Sequence, residues 1–242
     1  MTDLLYTTDA YIQTFEATVT AHVDDEKLGH GVTLDRTAFY PGGGGQPCDY
    51  GTLTSTDGAV PVTRVKKVGG QPVHFVDGER PAVGATVTGQ LDWERRYKLM
   101  RTHTAMHVLC GTVFRDYAAQ VTGGNMEPLS ARMDFEFETL RKELVGEIEA
   151  AINAEVAAAR PVHVKILPRE EAFQIPDLIR TKINLLPAGI TEIRTVELEG
   201  LDLQADGGTH VRNTSEIGRI RLPKYKSKGK INKRLYVEVV DE

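Results

Sequence analysis

The sequence lacks most of what would place it outside an ordinary globular class. Cysteine occurs twice in 242 residues, as Cys48 and Cys110, which is too few for a disulfide framework. No apolar run approaches the length of a membrane span. The opening MTDLLYTTDAY has no basic stretch followed by an apolar one, so no secretory signal is expected. These absences together predict a cytoplasmic protein with no membrane partner. Cationic excess is missing as well. The 29 Lys and Arg against 34 Asp and Glu leave a net charge of −5, so the molecule as a whole does not advertise nucleic-acid binding. What is present is ordinary: 40% hydrophobic and 26% charged residues, with length for one large domain or two small ones.

The charge is unevenly spread. From Arg219 to Arg234 the chain reads RIRLPKYKSKGKINKR, with eight Lys or Arg and no acid. One reading is a solvated hairpin whose lysines guard its edge. The other is a patch that contacts phosphates. Charge alone favours the first.

Residues 1–92 contain short β-prone runs, ATVTAHV, GVTLD, PVTRVKKV, VHFVD and ATVTGQLD, separated by Gly, Asp and Pro. That spacing predicts a small barrel or sandwich. FYPGGGGQPCDYG at 39–51 interrupts it with four glycines between two prolines, and without the Gly-Lys-Ser/Thr ending of a phosphate loop. It is either a flexible turn or backbone that must come close to a ligand. Residues 93–117 predict a helix that carries Leu99, His103, His107, Cys110 and Phe114 on one face. The remainder predicts a strand at 131–137, an amphipathic helix at 138–159, a strand at VHVKIL, a short helix or turn before Pro176, and another around 177–185. A strand at ITEIRTVELEG and a basic hairpin over 217–241 complete it. The expected fold is α+β: a small β-barrel at 1–92, then an α+β unit at 93–242 with an antiparallel sheet packed by helices.

His103 and His107 form H-x-x-x-H. Side chains at i and i+4 lie one above the other on a helix, so two imidazoles can grip one ion. No Glu follows His103 to make a metalloprotease pattern. Alone, such a pair is more often a pair of satisfied histidines. A second half comes from QADGGTHVRNT at 204–214. If LDLQAD is a strand, Asp202, Gln204 and Asp206 share one face, and His210 follows a Gly-Gly-Thr turn. Two side chains from a helix and two from a turn are the right number for a tetrahedral ion, and three imidazoles with a carboxylate suit zinc.

The pieces TAFYPGGGGQPCDYG, MRTHTAMH and DGGTHVRNTSEIG, in this order, resemble the alanyl-tRNA editing proteins called AlaX, in their medium-length form. The resemblance covers nearly the whole chain. It implies hydrolysis of the ester that links a wrong amino acid, usually serine and possibly glycine, to the tRNA for alanine. It implies one Zn²⁺ held by His103, His107 and His210. Where the family commonly has a fourth ligand cysteine, this chain has Asp206, an oxygen donor in place of a thiolate. Cys110, one turn beyond His107, is within reach but reads better as a small buried residue. The resemblance further implies Thr37 and Gln46 as partners of the serine hydroxyl. A site built around a hydroxyl rejects the analogue that lacks one by roughly 10⁴–10⁵. Lys224, Lys226, Lys228 and Lys230 then become candidate tRNA contacts, and Arg101, with Arg95, Arg96 and Lys98, could add others. The rivals are a tRNA-binding module that has lost full metal ligation, and a metal-dependent hydrolase of another ester. A monomer is favoured.

Overall fold

In the computed structural model the described residues are 2–180 and 189–241. The chain forms two compact units, Met1–Tyr97 and Lys98–Glu242, which divide inside a helix.

The first unit is all β apart from a single 3₁₀ turn at Leu5–Thr7 and the start of that helix. Its strands are β1 (Asp3–Leu4), β2 (Thr14–Asp25), β3 (Gly29–Leu34), β4 (Arg36–Thr37), β5 (Gly51–Ser55), β6 (Gly58–Val68), β7 (Gln71–Val76) and β8 (Thr86–Leu91). Six of them close a barrel in the order β2-β3-β7-β6-β5-β8, which settles the choice between barrel and sandwich. Alternation drives the closure. Phe15, Ala17 and Val19 of β2 point inward with Val32 and Leu34 of β3, Leu53 of β5, Val62 and Val65 of β6, and Val87 of β8.

Helix α1 (Trp93–Tyr117) has the bounds its periodicity predicts. In the second unit follow β9 (Val121–Glu127), β10 (Ser130–Glu136), α2 (Lys142–Ala157), β11 (Val162–Pro168), α3 (Arg169–Ala172), β12 (Glu192–Leu198), β13 (Asp202–Ala205), β14 (Arg219–Ser227) and β15 (Asn232–Val240). Two antiparallel sheets result, β14-β15-β10-β9 and β11-β12-β13. The fold is α+β, as expected.

Several boundaries differ from the pattern. β9 has no counterpart among the expected elements, because its Gly123-Gly124 pair carries no β-prone side chains. A Cβ on Gly124 would press on the Met106 Cε at 3.1 Å, a contact the methionine end could relieve by a small shift. Helix α2 starts later than residue 138 because the chain is still tied to the sheet there, with the Phe137 amide donating to the Ile231 carbonyl at 2.7 Å. Residues 177–180 are irregular, and the rest of the segment expected around 177–185 lies outside the described residues.

Candidate metal centre

Helix α1 places His103 and His107 one turn apart, each 6% exposed. Strand β13 ends at Ala205 and hands Asp206 and His210 to the turn that follows. Asp206 makes that turn itself: its carboxylate accepts from the Gly208 amide at 2.9 and 3.1 Å. The side chain that faces the histidines therefore also folds the loop that returns His210 to it.

The four side chains converge. The rings of His103 and His210 stack at 4.2 Å, and His107 meets His210 edge-on at 4.7 Å. The Asp206 carboxylate stands 3.5 Å from His103 Nε2 and 3.4 Å from His210 Nε2. One donor atom from each of His103, His107, Asp206 and His210 lies within 4.8 Å of all the others. Ligands at about 2.0–2.1 Å from a tetrahedral ion stand about 3.3 Å apart, so the His–Asp spacings fit such an ion.

The outward nitrogens of these rings are tied elsewhere. His107 Nδ1 donates to Asp202 Oδ2 at 3.0 Å. Asp202 is itself fixed by Gln204 Nε2 at 2.6 Å and Arg180 Nε at 3.3 Å. Gly111 of α1 makes room for it, because a Cβ there would stand 2.8 Å from the Asp202 Cβ. That explains a glycine in mid-helix, which otherwise costs about 1 kcal/mol relative to alanine. His210 Nδ1 lies 3.2 Å from Thr104 Oγ1. Thr104 gives its single proton to the Met100 carbonyl at 2.9 Å and accepts from the Val211 amide at 3.2 Å. It can only accept from His210, so His210 carries its proton on Nδ1 and turns the Nε2 lone pair toward the centre. His103 hydrogen-bonds the Thr209 backbone. Each histidine thus has an outer partner of the kind that orients metal ligands.

Electrostatics follow burial. Desolvation lowers His103 to about 4 and holds His210 well below the usual imidazole value, so both are neutral at pH 7. At His107 burial pulls down too, but the hydrogen bond and charge of Asp202, with the charge of Asp206, outweigh it and raise its pKa. Burial opposes ionisation of Asp206, yet the surrounding imidazoles hold it well below the ordinary carboxylate range. Three imidazoles and one carboxylate form a borderline N/O donor set that suits a divalent transition metal. Cys110 is not in the group. Its Sγ lies 3.3 Å from Gln204 Nε2, and burial pushes its pKa up, away from thiolate.

Thr37 and Gln46 belong to the first unit. The glycine-rich loop is pinned rather than loose: Gly42, Gly43, Gly44 and Gly45 all have positive φ, a run that only glycine adopts without strain. Gly43 and Gln46 exchange backbone hydrogen bonds at 3.0 and 2.9 Å. Gln46 is 3% exposed and Thr37 is fully buried. Thr37 Oγ1 accepts from the Phe39 amide at 3.1 Å and lies 2.8 Å from His74 Nε2. Burial lowers His74 to about 4, and its Nδ1 faces the Val32 carbonyl at 3.2 Å, so Nδ1 holds the proton and Nε2 accepts from Thr37. The Thr37 proton is committed, and its remaining lone pair can only accept.

The basic residues divide. Lys224, Lys226, Lys228 and Lys230 are exposed. Lys233 instead turns inward and donates to the Gly229 and Lys230 carbonyls, while Arg234 makes a paired bond to Asp134. Arg101 differs from its expected role as a phosphate contact: it is 8% exposed, with Nε bonded to the Ile217 carbonyl at 2.8 Å and Nη2 to Asp241 at 2.7 Å. Arg96 is likewise buried, as the partner of Asp49. Sequence gave no sign of Thr104 as an outer partner, because its role depends on a residue 106 positions away. Asp202 had one signal, its place on the polar face of β13.

Two family models match the chain: tRNA synthetases class II (A) over residues 5–95, and the threonyl and alanyl tRNA synthetase second additional domain over residues 193–236. An alanyl-tRNA editing protein AlaX-M of Methanosarcina barkeri is 40% identical over 247 residues, covering all of both chains. Another, of Saccharolobus solfataricus, is 41% identical over 99% of each. An alanine–tRNA ligase of Pyrobaculum aerophilum is 41% identical over 91% of this chain, which spans 25% of that larger protein. No described helix is long and apolar enough to cross a membrane.

Proposed function

Because the chain belongs to the AlaX-M family of alanyl-tRNA editing proteins, we propose that it hydrolyses the ester of a wrong amino acid, serine before glycine, on the tRNA for alanine, in a zinc-dependent reaction. The observation that carries the metal dependence is the group of buried His103, His107 and His210 with the partly buried Asp206, whose donors face one another. In this reading the three histidines and Asp206 hold the ion. A bound zinc supplies Lewis acidity toward the ester carbonyl, or an anchor for the substrate's amino or hydroxyl group. Asp206 contributes a harder donor than the family's usual cysteine, which widens the range of divalent metals the site accepts.

Thr37 and Gln46 read the serine hydroxyl. Thr37 has only an acceptor to offer, so the hydroxyl donates to it, and Gln46 supplies a second polar contact from the pinned loop. Alanine brings no hydroxyl and forgoes the bond to the remaining Thr37 lone pair and the contact with Gln46, so it gains less from the site than serine does. Glycine also lacks the hydroxyl, so Thr37 and Gln46 separate it from alanine much less sharply. Lys224, Lys226, Lys228 and Lys230 meet tRNA phosphates. Such a substrate implies the cytoplasm, and the chain is proposed to act as a monomer.

The experiment is deacylation of tRNA for alanine charged with serine, glycine or alanine, with and without a chelator. Fast loss of serine that the chelator blocks and added zinc restores is expected. Hydrolysis of none of the three esters with metal supplied would leave a tRNA-binding module.

A further inference from the structure

The glycine-rich loop borders a cleft of about 540 Å³ in the first unit. Gln46 lies at the loop side, and the rest of the wall includes Tyr50, Arg64, Lys66, Lys67 and Arg95. No aspartate or glutamate lines it. Arg64, Lys66 and Lys67 are exposed on β6, and none makes a salt bridge with a described residue, although the Lys66 charge acts on Asp25. Arg95 is fixed: its Nε and Nη2 both donate to the Cys48 carbonyl at 3.3 and 3.2 Å, which lays the guanidinium over the Tyr50 ring at 4.0 Å. Tyr50 is still 40% exposed.

We infer that this cleft binds the single-stranded 3′ end of the tRNA, its cations taking phosphates and Tyr50 offering a ring for a base to stack on. The inference rests on the editing reading and adds to it a binding surface apart from the lysine hairpin. Three features favour single-stranded RNA over an acidic peptide or a duplex. Cations without acids match a phosphate chain, and an exposed ring held by an arginine is what unpaired bases use, with stacking that tolerates any sequence. The cleft also runs to Gln46, which the editing reading sets against the amino acid, and the 3′ end is the part of the tRNA that carries the amino acid.

The test uses the full chain, uncharged tRNA for alanine, and the same tRNA without its 3′ single-stranded tail. The wild type is expected to bind the complete tRNA about tenfold tighter than the shortened one. Arg64→Ala/Lys66→Ala/Lys67→Ala should erase that margin, binding both as the wild type binds the shortened form. Its salt slope on complete tRNA should fall by about two, as three single-strand phosphate contacts require. Tyr50→Ala, which removes no charge, should lose only part of that margin, about threefold, on complete tRNA alone and keep the wild-type slope. Equal binding of the two tRNAs by the wild type, or variants that weaken both equally, would overturn the inference while deacylation of seryl-tRNA kept the editing reading intact. A wild type that binds neither tRNA would also overturn the inference, while seryl-tRNA deacylation decides the editing reading separately.

Discussion

Each unit buries a cluster of polar side chains around histidine, and the two clusters are finished in opposite ways. In the barrel, His74, Thr37, the Phe39 amide and the Val32 carbonyl close on themselves, and nearly every donor has its acceptor. In the second unit the closure is only on the outside. Asp202, Thr104 and the Thr209 backbone satisfy the outer sides of His107, His210 and His103, while the inner atoms have mostly one another. A self-satisfied cluster holds a shape. A cluster satisfied only on its outer side needs something at its middle, since buried polar atoms without good partners are costly. Burial of histidine alone does not distinguish the two; the direction of the remaining lone pairs does.

The sharpest way to break the comparison is to remove an inward donor. His210→Ala should abolish bound metal and lower deacylation of seryl-tRNA by about 10³-fold or more. Metal content and rate measured on the same preparation check it, and normal values for both would take the centre out of the reaction. For the barrel cluster the expected effect is on stability. His74 has a folded pKa of about 4 against an ordinary 6.5, so the unfolded chain binds its proton first. Stability from this group is complete above pH 6.5 and is lost as pH falls toward 4, by about 3 kcal/mol in all. Denaturant melts from pH 7 to 4 should show that acid loss, and His74→Gln should make the limb shallower by about 3 kcal/mol, leaving the share of the buried His103 and His210. An unchanged acid limb would mean that other groups carry it.

A smaller effect is expected from the outer layer. Thr104→Val removes the acceptor that sets the His210 tautomer and should weaken metal binding by about tenfold, and Thr104→Ser should restore it. Chelator competition reads the affinity. If valine and serine behave alike, the hydroxyl does not set the ring.

These outer residues mark where sequence stops being informative. The barrel, helix α1 and the pairing of H-x-x-x-H with the Gly-Gly-Thr turn were legible because each follows a local period or spacing: β alternation, i and i+4, a glycine turn. What sequence could not supply is long-range. Thr104 looks like any helical threonine until Met100, Val211 and His210 are placed around its one oxygen. Arg101 and Arg96 show the same limit in the other direction. Each sits in a run of cations that reads as a solvated or phosphate-binding face, yet each guanidinium is buried against a carboxylate from elsewhere in its own unit. Gly111 is a spacer whose reason lies in a neighbouring strand.

The smallest expected effect separates the two readings of the hairpin. β14 is an outer strand of its sheet, so its lysines would guard the edge whether or not RNA is ever bound. Pro223 sits at the register shift between Arg221 and Lys224, a further device that blunts the edge. Edge protection and phosphate contact make different demands, however. Lys224→Ala/Lys226→Ala/Lys228→Ala should weaken tRNA binding several-fold at low salt and lower the salt slope by about two to three if the lysines meet phosphates. If they serve only as an edge, tRNA affinity stays at the wild-type value and the variant instead self-associates at high concentration, which sedimentation would detect.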